Sequence, residues 1–257
     1  MARMPTTPED QIETANPGPL NDYDTIAEGY STENANSLVN AYYERPAMLE
    51  LAGDVAGRRI LDAGCGSGPL FAELRDRGAV VTGIDASAGM LELARKRLGP
   101  DADLRVADLA APLPFPDDTF DDVTASLVLH YLKDWGPALA ELRRVLKPGG
   151  RLLVSVDHPF VFTLFAAMAG EKRPKYFEVR NRVEEWTMGG QNARMSFWDR
   201  PLHAMTEAFT AAGFRISVIS EPPFVPEARE LFPEEFREID PSRTRFLSFL
   251  FFVLEAG

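Results

Sequence analysis

Ile60-Leu61-Asp62-Ala63-Gly64-Cys65-Gly66-Ser67-Gly68-Pro69 runs an apolar strand directly into three alternate glycines and a proline. Glycine at 64, 66 and 68 tolerates positive φ and removes the Cβ atoms that would hold a ligand away from the backbone. The free N–H groups at the start of the following helix then face that ligand. Pro69 suits the first helical turn, where a missing N–H costs nothing, so the spacing predicts a helix from Pro69 through Arg77 with Gly78 as its terminator. A dinucleotide loop would read G-x-G-x-x-G, and the position that completes it from Gly64 and Gly66 is Pro69. Taken alone, a glycine-rich turn is equally a tight turn without a ligand.

Two more strand ends agree with a ligand site. Val80-Val81-Thr82-Gly83-Ile84 ends in Asp85, a carboxylate placed where it can accept both hydroxyls of a ribose. Ser87 then caps a helix over Ala88 to Leu98, closed by Gly99-Pro100. The strand Asp103 to Ala107 ends in Asp108-Leu109. Each carboxylate taken singly reads as a helix N-cap. Three signals at the ends of three successive strands match the carboxyl edge at which open α/β sheets bind ligands.

The spacing Asp-x-Gly-x-Gly-x-Gly from Asp62 resembles motif I of the class I S-adenosylmethionine-dependent methyltransferases, of the small-molecule type. The likeness continues through Pro112 to Asp121, through a fourth strand over Asp122 to Leu129, and through Leu142-Arg143-Arg144-Val145-Leu146-Lys147-Pro148-Gly149-Gly150 into a fifth strand. Tyr23-Asp24-Thr25-Ile26-Ala27-Glu28-Gly29-Tyr30 is similar to the family's Tyr-Asp-x-x-Ala-x-x-Tyr helix. The resemblance implies S-adenosyl-L-methionine as cofactor. It implies that Asp62 meets the cofactor's amino group and Tyr30 its carboxylate, and that Gly64, Gly66 and Gly68 wrap its methionine part. Asp85 would hold the ribose, Asp108 the adenine amino group, and Ala86, Met90, Leu109 and Leu127 would complete the contacts.

The fold expected is α/β: a doubly wound, Rossmann-like seven-stranded sheet with its last strand antiparallel and an inserted cap hairpin. Residues 1–20, polar and Pro-rich, read as a flexible segment, and 21–257 as one methyltransferase domain. Helical stretches precede strand one around Asp24 to Gly29 and Ser37 to Leu51. Some fifty positions separate Asp157 from the next clear strand, Phe214 to Ser220, far more than a crossover needs. Residues 158–205 are therefore read as a substrate cap: a helix over Phe160 to Ala169, a strand in Tyr176 to Thr187, a turn at Gly189-Gly190, and a return over Ala193 to Trp198. Trp186, Phe197 and Trp198 either line a substrate lid or pack an ordinary hairpin on the body. A further helix is expected over Glu227 to Glu238, and a final buried strand over Phe246 to Leu254.

Methyl transfer from a sulfonium needs alignment and dryness more than strong acid–base help. A base is required only where the acceptor's proton must leave. His158, at the end of strand five before Pro159, is the candidate for it. Acceptor contacts are expected from Tyr23, His130, Trp186, Trp198, Asp199 and Arg200. Phe197 to Pro201 resembles a Tyr-His-Arg-Pro element of many relatives, with Asp199 in place of its histidine. His203 reads as structural.

Composition bounds the partners. The chain has 257 residues, 45% of them hydrophobic, with 27 Lys and Arg against 39 Asp and Glu, a net charge of −12. That balance argues against nucleic acid, whose phosphates need a basic footprint. No apolar run reaches the ~20 residues that cross a bilayer, and no secretory leader is legible, so no membrane partner is expected. Cys65 is the single cysteine, which leaves no disulfide within the chain and fits the cytoplasm. No metal site is expected. The partner expected is a small-molecule methyl acceptor, with the oligomeric state, a homodimer included, left open. Three rival readings remain: a fold that binds the cofactor for non-methylating chemistry, a nicotinamide-dependent oxidoreductase, which Pro69 disfavours, and a non-enzymatic interaction protein.

Overall fold

The computed structural model describes residues 19–168, 170, 175–237, 240, 245 and 247–257. Residues 1–18 of the expected flexible segment lie outside them. Leu20 is docked, through a parallel bridge to Arg194.

Nine strands and eight α-helices are present among the described residues. In chain order the first strands and helices are α1 (Tyr23–Asn36), α2 (Arg45–Ala52), β1 (Arg59–Ala63), α3 (Pro69–Asp76), β2 (Val80–Asp85), α4 (Ala88–Leu98), β3 (Asp103–Val106), β4 (Phe120–Ser126), α5 (Gly136–Val145) and β5 (Leu146–Asp157). Next come α6 (Val161–Met168), β6 (Arg180–Met188), β7 (Gln191–Asp199) and α7 (Leu202–Ala211). β8 (Phe214–Ser220), α8 (Ala228–Leu231) and β9 (Phe249–Ala256) close the chain.

Seven strands form one sheet in the order β3-β2-β1-β4-β5-β9-β8, with β9 antiparallel to both neighbours and β1 to β5 parallel. The seven-stranded, doubly wound expectation holds, including the antiparallel last strand. Chain order reverses between β1 and β4, and at such a switch point the loops on the carboxyl side diverge and leave a crevice. Alternate residues of β1 feed two cores: Ile60 joins Leu49, Phe71 and Leu74 on one face, and Leu61 joins Leu139, Leu142 and Phe252 on the other. β6 and β7 form a separate hairpin, turned by Gly189 and Gly190 at φ 58° and 78°. Its inner residues Ala193, Met195 and Phe197 pack on Ile26 of α1. Gly29 of α1 is where the turn comes closest: a Cβ there would stand 2.6 Å from the Met188 carbonyl carbon.

Several expected boundaries move. β4 ends at Ser126 rather than Leu129, because Leu127 takes φ 49°, a left-handed value that no strand continues. The stretch Ser37 to Leu51 contains a π-helical turn at Asn40–Glu44 before α2. The strand expected in Tyr176 to Thr187 starts only at Arg180, because Tyr176 and Phe177 form a turn. The helix expected over Glu227 to Glu238 shrinks to α8, because Phe232 leaves helical geometry ahead of Pro233; residue 238 lies outside the described residues. Ala169 and Phe246, expected in a helix and a strand, also lie outside them.

One buried carboxylate ties the amino-side edge of the sheet. Asp122 on β4 is 1% exposed and is gripped by Arg58 before β1 and by Arg151 on β5, the latter at 2.8 Å to each oxygen. The two arginines also reach the Asp121 and Ala52 carbonyls. Asp122→Ala leaves both guanidinium groups without their anion, although each is partly solvated and recovers some hydration. The expected loss is about 2 kcal/mol of folding stability, read as a lower urea midpoint with an unchanged slope.

Candidate active site

A cleft of about 470 Å³ opens over the carboxyl ends of β1, β2 and β4. Its floor is the loop after β1. Gly64 and Cys65 both donate their N–H to the Ile84 carbonyl, at 2.8 and 2.9 Å, which folds the loop across the end of β2. The three glycines of the loop answer different demands. At Gly64 (φ 78°) a Cβ would sit 2.6 Å from Val128, and at Gly68 (φ 77°) 2.8 Å from Leu98, so close packing requires both. Gly66 meets only the Met90 Cε, at 3.4 Å, and lines the cleft. Gly68 does not line it; Ser67 and Pro69 do.

Two acidic groups stand side by side at the strand ends. The Asp85 carboxylate accepts from the Gly66 N–H at 2.8 Å and the Ser87 N–H at 2.9 Å, one bond to each oxygen, so it is fixed by backbone and keeps a lone pair on each oxygen. Burial raises its pKa despite those bonds. Asp62, 1% exposed, accepts from the Thr124 hydroxyl at 2.9 Å through Oδ1, while Oδ2 is buried with no hydrogen-bond partner. Burial pushes its pKa up to about 7. A buried, unpartnered carboxylate oxygen is costly and calls for a cation or donor. The ammonium of an amino-acid ligand supplies one, and a ribose diol fits the lone pairs left on Asp85. The donor set therefore suits S-adenosylmethionine.

Ala86, Met90, Asp108, Leu109 and Leu127 also line the cleft, and the Asp108 carboxylate is turned back onto the Ala110 N–H at 2.8 Å. Leu127 is held in its left-handed conformation by the side-chain and carbonyl oxygens of Ser155, at 3.0 and 3.1 Å from its N–H.

α1 supplies the opposite wall. Tyr23 and Tyr30 line the cleft together with Tyr131, whose hydroxyl is hydrogen-bonded to that of Tyr23. Burial raises all three phenol pKa values, so these groups stay neutral. Tyr30 stacks on Trp186 with centroids 6.1 Å apart and planes within 8°. Trp186 thus backs the wall from the hairpin and is not among the cleft-lining residues. Asp24 locks α1 to the start of α4 by accepting from the Ser87 hydroxyl at 2.5 Å and the Gly89 N–H at 2.8 Å.

His158 is not brought to the cleft. One ring nitrogen accepts from the Phe160 N–H at 3.2 Å and the other is 2.8 Å from Glu221 Oε1, so both are engaged. His158, His130, Trp198, Asp199 and Arg200 line instead a small cavity between the end of β5 and the β6–β7 hairpin. Asp199 is paired there with Arg180 at 2.6 Å and Arg182 at 3.0 Å, and Arg182 also reaches Asp157 at 3.1 Å. This ion-pair group staples the hairpin to the end of β5.

Sequence reasoning missed Glu44. It is 4% exposed, lines the cleft, and accepts from the Ser126 and Ser155 hydroxyls at 2.7 and 2.6 Å, with burial raising its pKa. Arg45 beside it lines the cleft and is paired with Glu73 at 3.1 Å. Cys65 is buried, and burial pushes its thiol far up, which fits a packing role. Among the described residues no group of three or more His, Cys, Asp or Glu is arranged to hold a metal, and no helix is long and apolar enough to cross a membrane.

The sequence of residues 61–154 matches the family described as methyltransferase domain. The chain is 40% identical over 134 residues to a demethylmenaquinone methyltransferase of Clavibacter sepedonicus, covering 51% of this chain and 55% of that protein. With a protein of the same name from Tropheryma whipplei it shares 30% identity over 180 residues, 64% of this chain and 75% of the relative. The first of these matches thus spans little more than half of the relative's length. Among solved structures, an S-adenosylmethionine-dependent methyltransferase from Mesorhizobium loti superposes with a TM-score of 0.61 at 27% identity, covering 82% of this chain and 95% of that one.

Proposed function

The chain belongs to the S-adenosylmethionine-dependent methyltransferase family, and from that premise we propose that it moves a methyl group from this cofactor to a small-molecule acceptor by in-line displacement. The observation that carries the reading is the buried, unpartnered Asp62 oxygen beside an Asp85 carboxylate already fixed by two backbone N–H groups. When bound, the cofactor supplies a methyl group activated as a sulfonium.

The protein's own residues bind, orient and exclude water. Asp62 receives the ammonium and Asp85 the ribose hydroxyls. Ala86, Met90, Asp108 and Leu109 hold the adenine, Leu127 completes the floor, and Tyr30 meets the carboxylate. Gly64 and Gly66 let the backbone approach the methionine part, while Gly68 serves by letting α3 close on α4. Tyr23 and Tyr131 wall the acceptor's approach, and the hairpin within 158–205 caps it, so that the acceptor is aligned and water is kept out. An acceptor of small size fits a cleft under such a cap and a chain with net charge −12. The names of the relatives make an aromatic quinone precursor the first acceptor to offer. The work is done in the cytoplasm on this reading.

Methyl-labelled S-adenosylmethionine incubated with the protein and a fractionated extract of the source organism tests it by mass spectrometry. Label in a low-mass metabolite is the expected result. Label only in protein or RNA overturns the acceptor class, and stabilisation by NAD but not by S-adenosylmethionine in thermal melts overturns the cofactor.

A further inference from the structure

Four buried side-chain atoms among the described residues have no hydrogen-bond partner, and only one of them, Asp62 Oδ2, belongs to the cofactor cleft. The other three are both ring nitrogens of His130 and the Nε of Arg200, two residues that line the same second cavity. His130 is 6% exposed, and its Nδ1 lies 3.8 Å from Asp157 Oδ1, beyond hydrogen-bonding distance. Arg200 is anchored at its other end, donating to the Lys133 carbonyl at 2.7 Å with its guanidinium carbon 4.6 Å above the Trp135 ring.

An imidazole with a free lone pair and a guanidinium with a free N–H complement one chemical group above others: a hydroxyl, which donates to the first and accepts from the second. The rest of the wall narrows its class. Trp135, Phe162, Tyr176 and Trp198 line the space, an aromatic wall that suits an unsaturated ligand. One short turn separates the cavity from the cleft. His130 and Tyr131 are successive residues of the short helical turn after β4, with ring centroids 4.6 Å apart, and Tyr131 lines the cleft.

We propose that this cavity receives the hydroxyl of a phenolic or enolic methyl acceptor, and that a ring nitrogen of His130 takes its proton. The inference deepens the methyl-transfer reading above and rests on it for the acceptor's role. In the step, the acceptor's O–H bond breaks, an N–H bond forms on His130, and the oxygen keeps the bonding pair. The Arg200 Nε–H donates to the resulting oxyanion, and the imidazolium faces Asp157. Groups of both signs surround His130: Asp157 from β5, Arg182 and Glu184 from β6 and Asp199 from β7. Burial lowers its pKa, so the ring is neutral at neutral pH, and the Asp157, Asp199 and Glu184 carboxylates favour the imidazolium once it forms.

The cavity, about 20 Å³, admits one oxygen atom and no ring. A ring-bearing acceptor enters by displacing α6, which forms part of the wall through Phe162. α6 has one buried residue, Val161, with Leu164, Phe165 and Met168 exposed, and its main tie to the hairpin is Phe162 under the Arg182 guanidinium at 3.6 Å. An element with so few buried contacts opens at low cost.

The test uses 4-nitrophenol, whose phenolate absorbs visible light, with the full chain. Wild type is expected to bind the probe and to increase its phenolate band relative to free probe at the same pH. His130→Gln is expected to weaken probe binding about tenfold and to abolish the gain in phenolate, with S-adenosylmethionine affinity by calorimetry unchanged. His203→Gln, on the outer helix α7, serves as the control for loss of a histidine. Absence of probe binding by wild type, or equal binding and ionisation by His130→Gln, overturns the proposal. A wild type that ionises the probe but binds no S-adenosylmethionine sinks the methyl-transfer reading instead. Should His130→Gln fail to fold, ¹⁵N spectra of the three histidines in wild type decide: one ring converting to imidazolium on probe addition supports the proposal, and three unmoved rings overturn it.

Discussion

Asp85→Ala is expected to weaken S-adenosylmethionine binding by roughly 2–4 kcal/mol, about 30- to 1,000-fold, as measured by calorimetry. A hydrogen bond to a charged acceptor in a buried site contributes about 1.5–3 kcal/mol, and a ribose offers two hydroxyls to this one carboxylate. The alanine variant has a second deficit. The Gly66 and Ser87 N–H groups, now 2.8 and 2.9 Å from the carboxylate, lose their acceptor, so the loop after β1 is no longer held in its ligand-ready form. For the same reason Asp85→Asn is not expected to restore binding: its side chain keeps one acceptor oxygen and turns an NH₂ toward one of the two backbone donors. A thermal melt of each unliganded variant separates loss of the site from loss of the fold. Affinity within about twofold of wild type would remove Asp85 from the ribose contact.

The parts of this site that were legible in the sequence are those fixed within a few residues of one another. Asp62, Gly64, Gly66 and Asp85 are set by a strand that runs out into a loop, and strand ends are local events. What each glycine is for was not legible, because Val128 and Leu98 arrive from other elements. Glu44 was invisible because it depends on a π-helical turn that brings it to two serines 82 and 111 residues away. The end of β4 was misplaced for a similar reason: the apolar run continues through Leu129, while Leu127 is bent by Ser155 on β5. The histidines show the limit most clearly. His130 and His158 both follow the ends of central strands, and nothing near either predicts a partner. Glu221, 63 residues on, engages His158, and no residue engages His130 by a hydrogen bond. A base expected at one strand end is consequently replaced by a candidate at the neighbouring one.

Asp62 should give the unliganded protein and its complex opposite responses to pH. Its carboxyl titrates near pH 7 in the folded chain and near about 3.9 in an unfolded one, because burial disfavours the anion. Between those values the folded state holds a proton that the unfolded state has released. Stability from this group is therefore fully present below about pH 4 and is lost as pH rises through 7, a total on the order of 4 kcal/mol. Glu44 and Asp85, also raised by burial, act in the same direction, so the contribution of Asp62 is isolated by comparison with Asp62→Asn. The unliganded variant should be more stable than wild type at pH 7.5, with the gap closing as the pH falls toward 5. Cofactor binding runs the other way. An ammonium group needs the ionised carboxylate, so binding below pH 7 releases a proton, and affinity should fall about tenfold per unit there and level off above. Asp62→Asn should bind more weakly and lose the part of that slope that Asp62 contributes, leaving any due to Asp85 and Glu44. Thermal melts and calorimetry across this range decide both arms, and a variant that keeps the wild-type pH dependence would show that the unpartnered oxygen is not where the cofactor's positive charge is held.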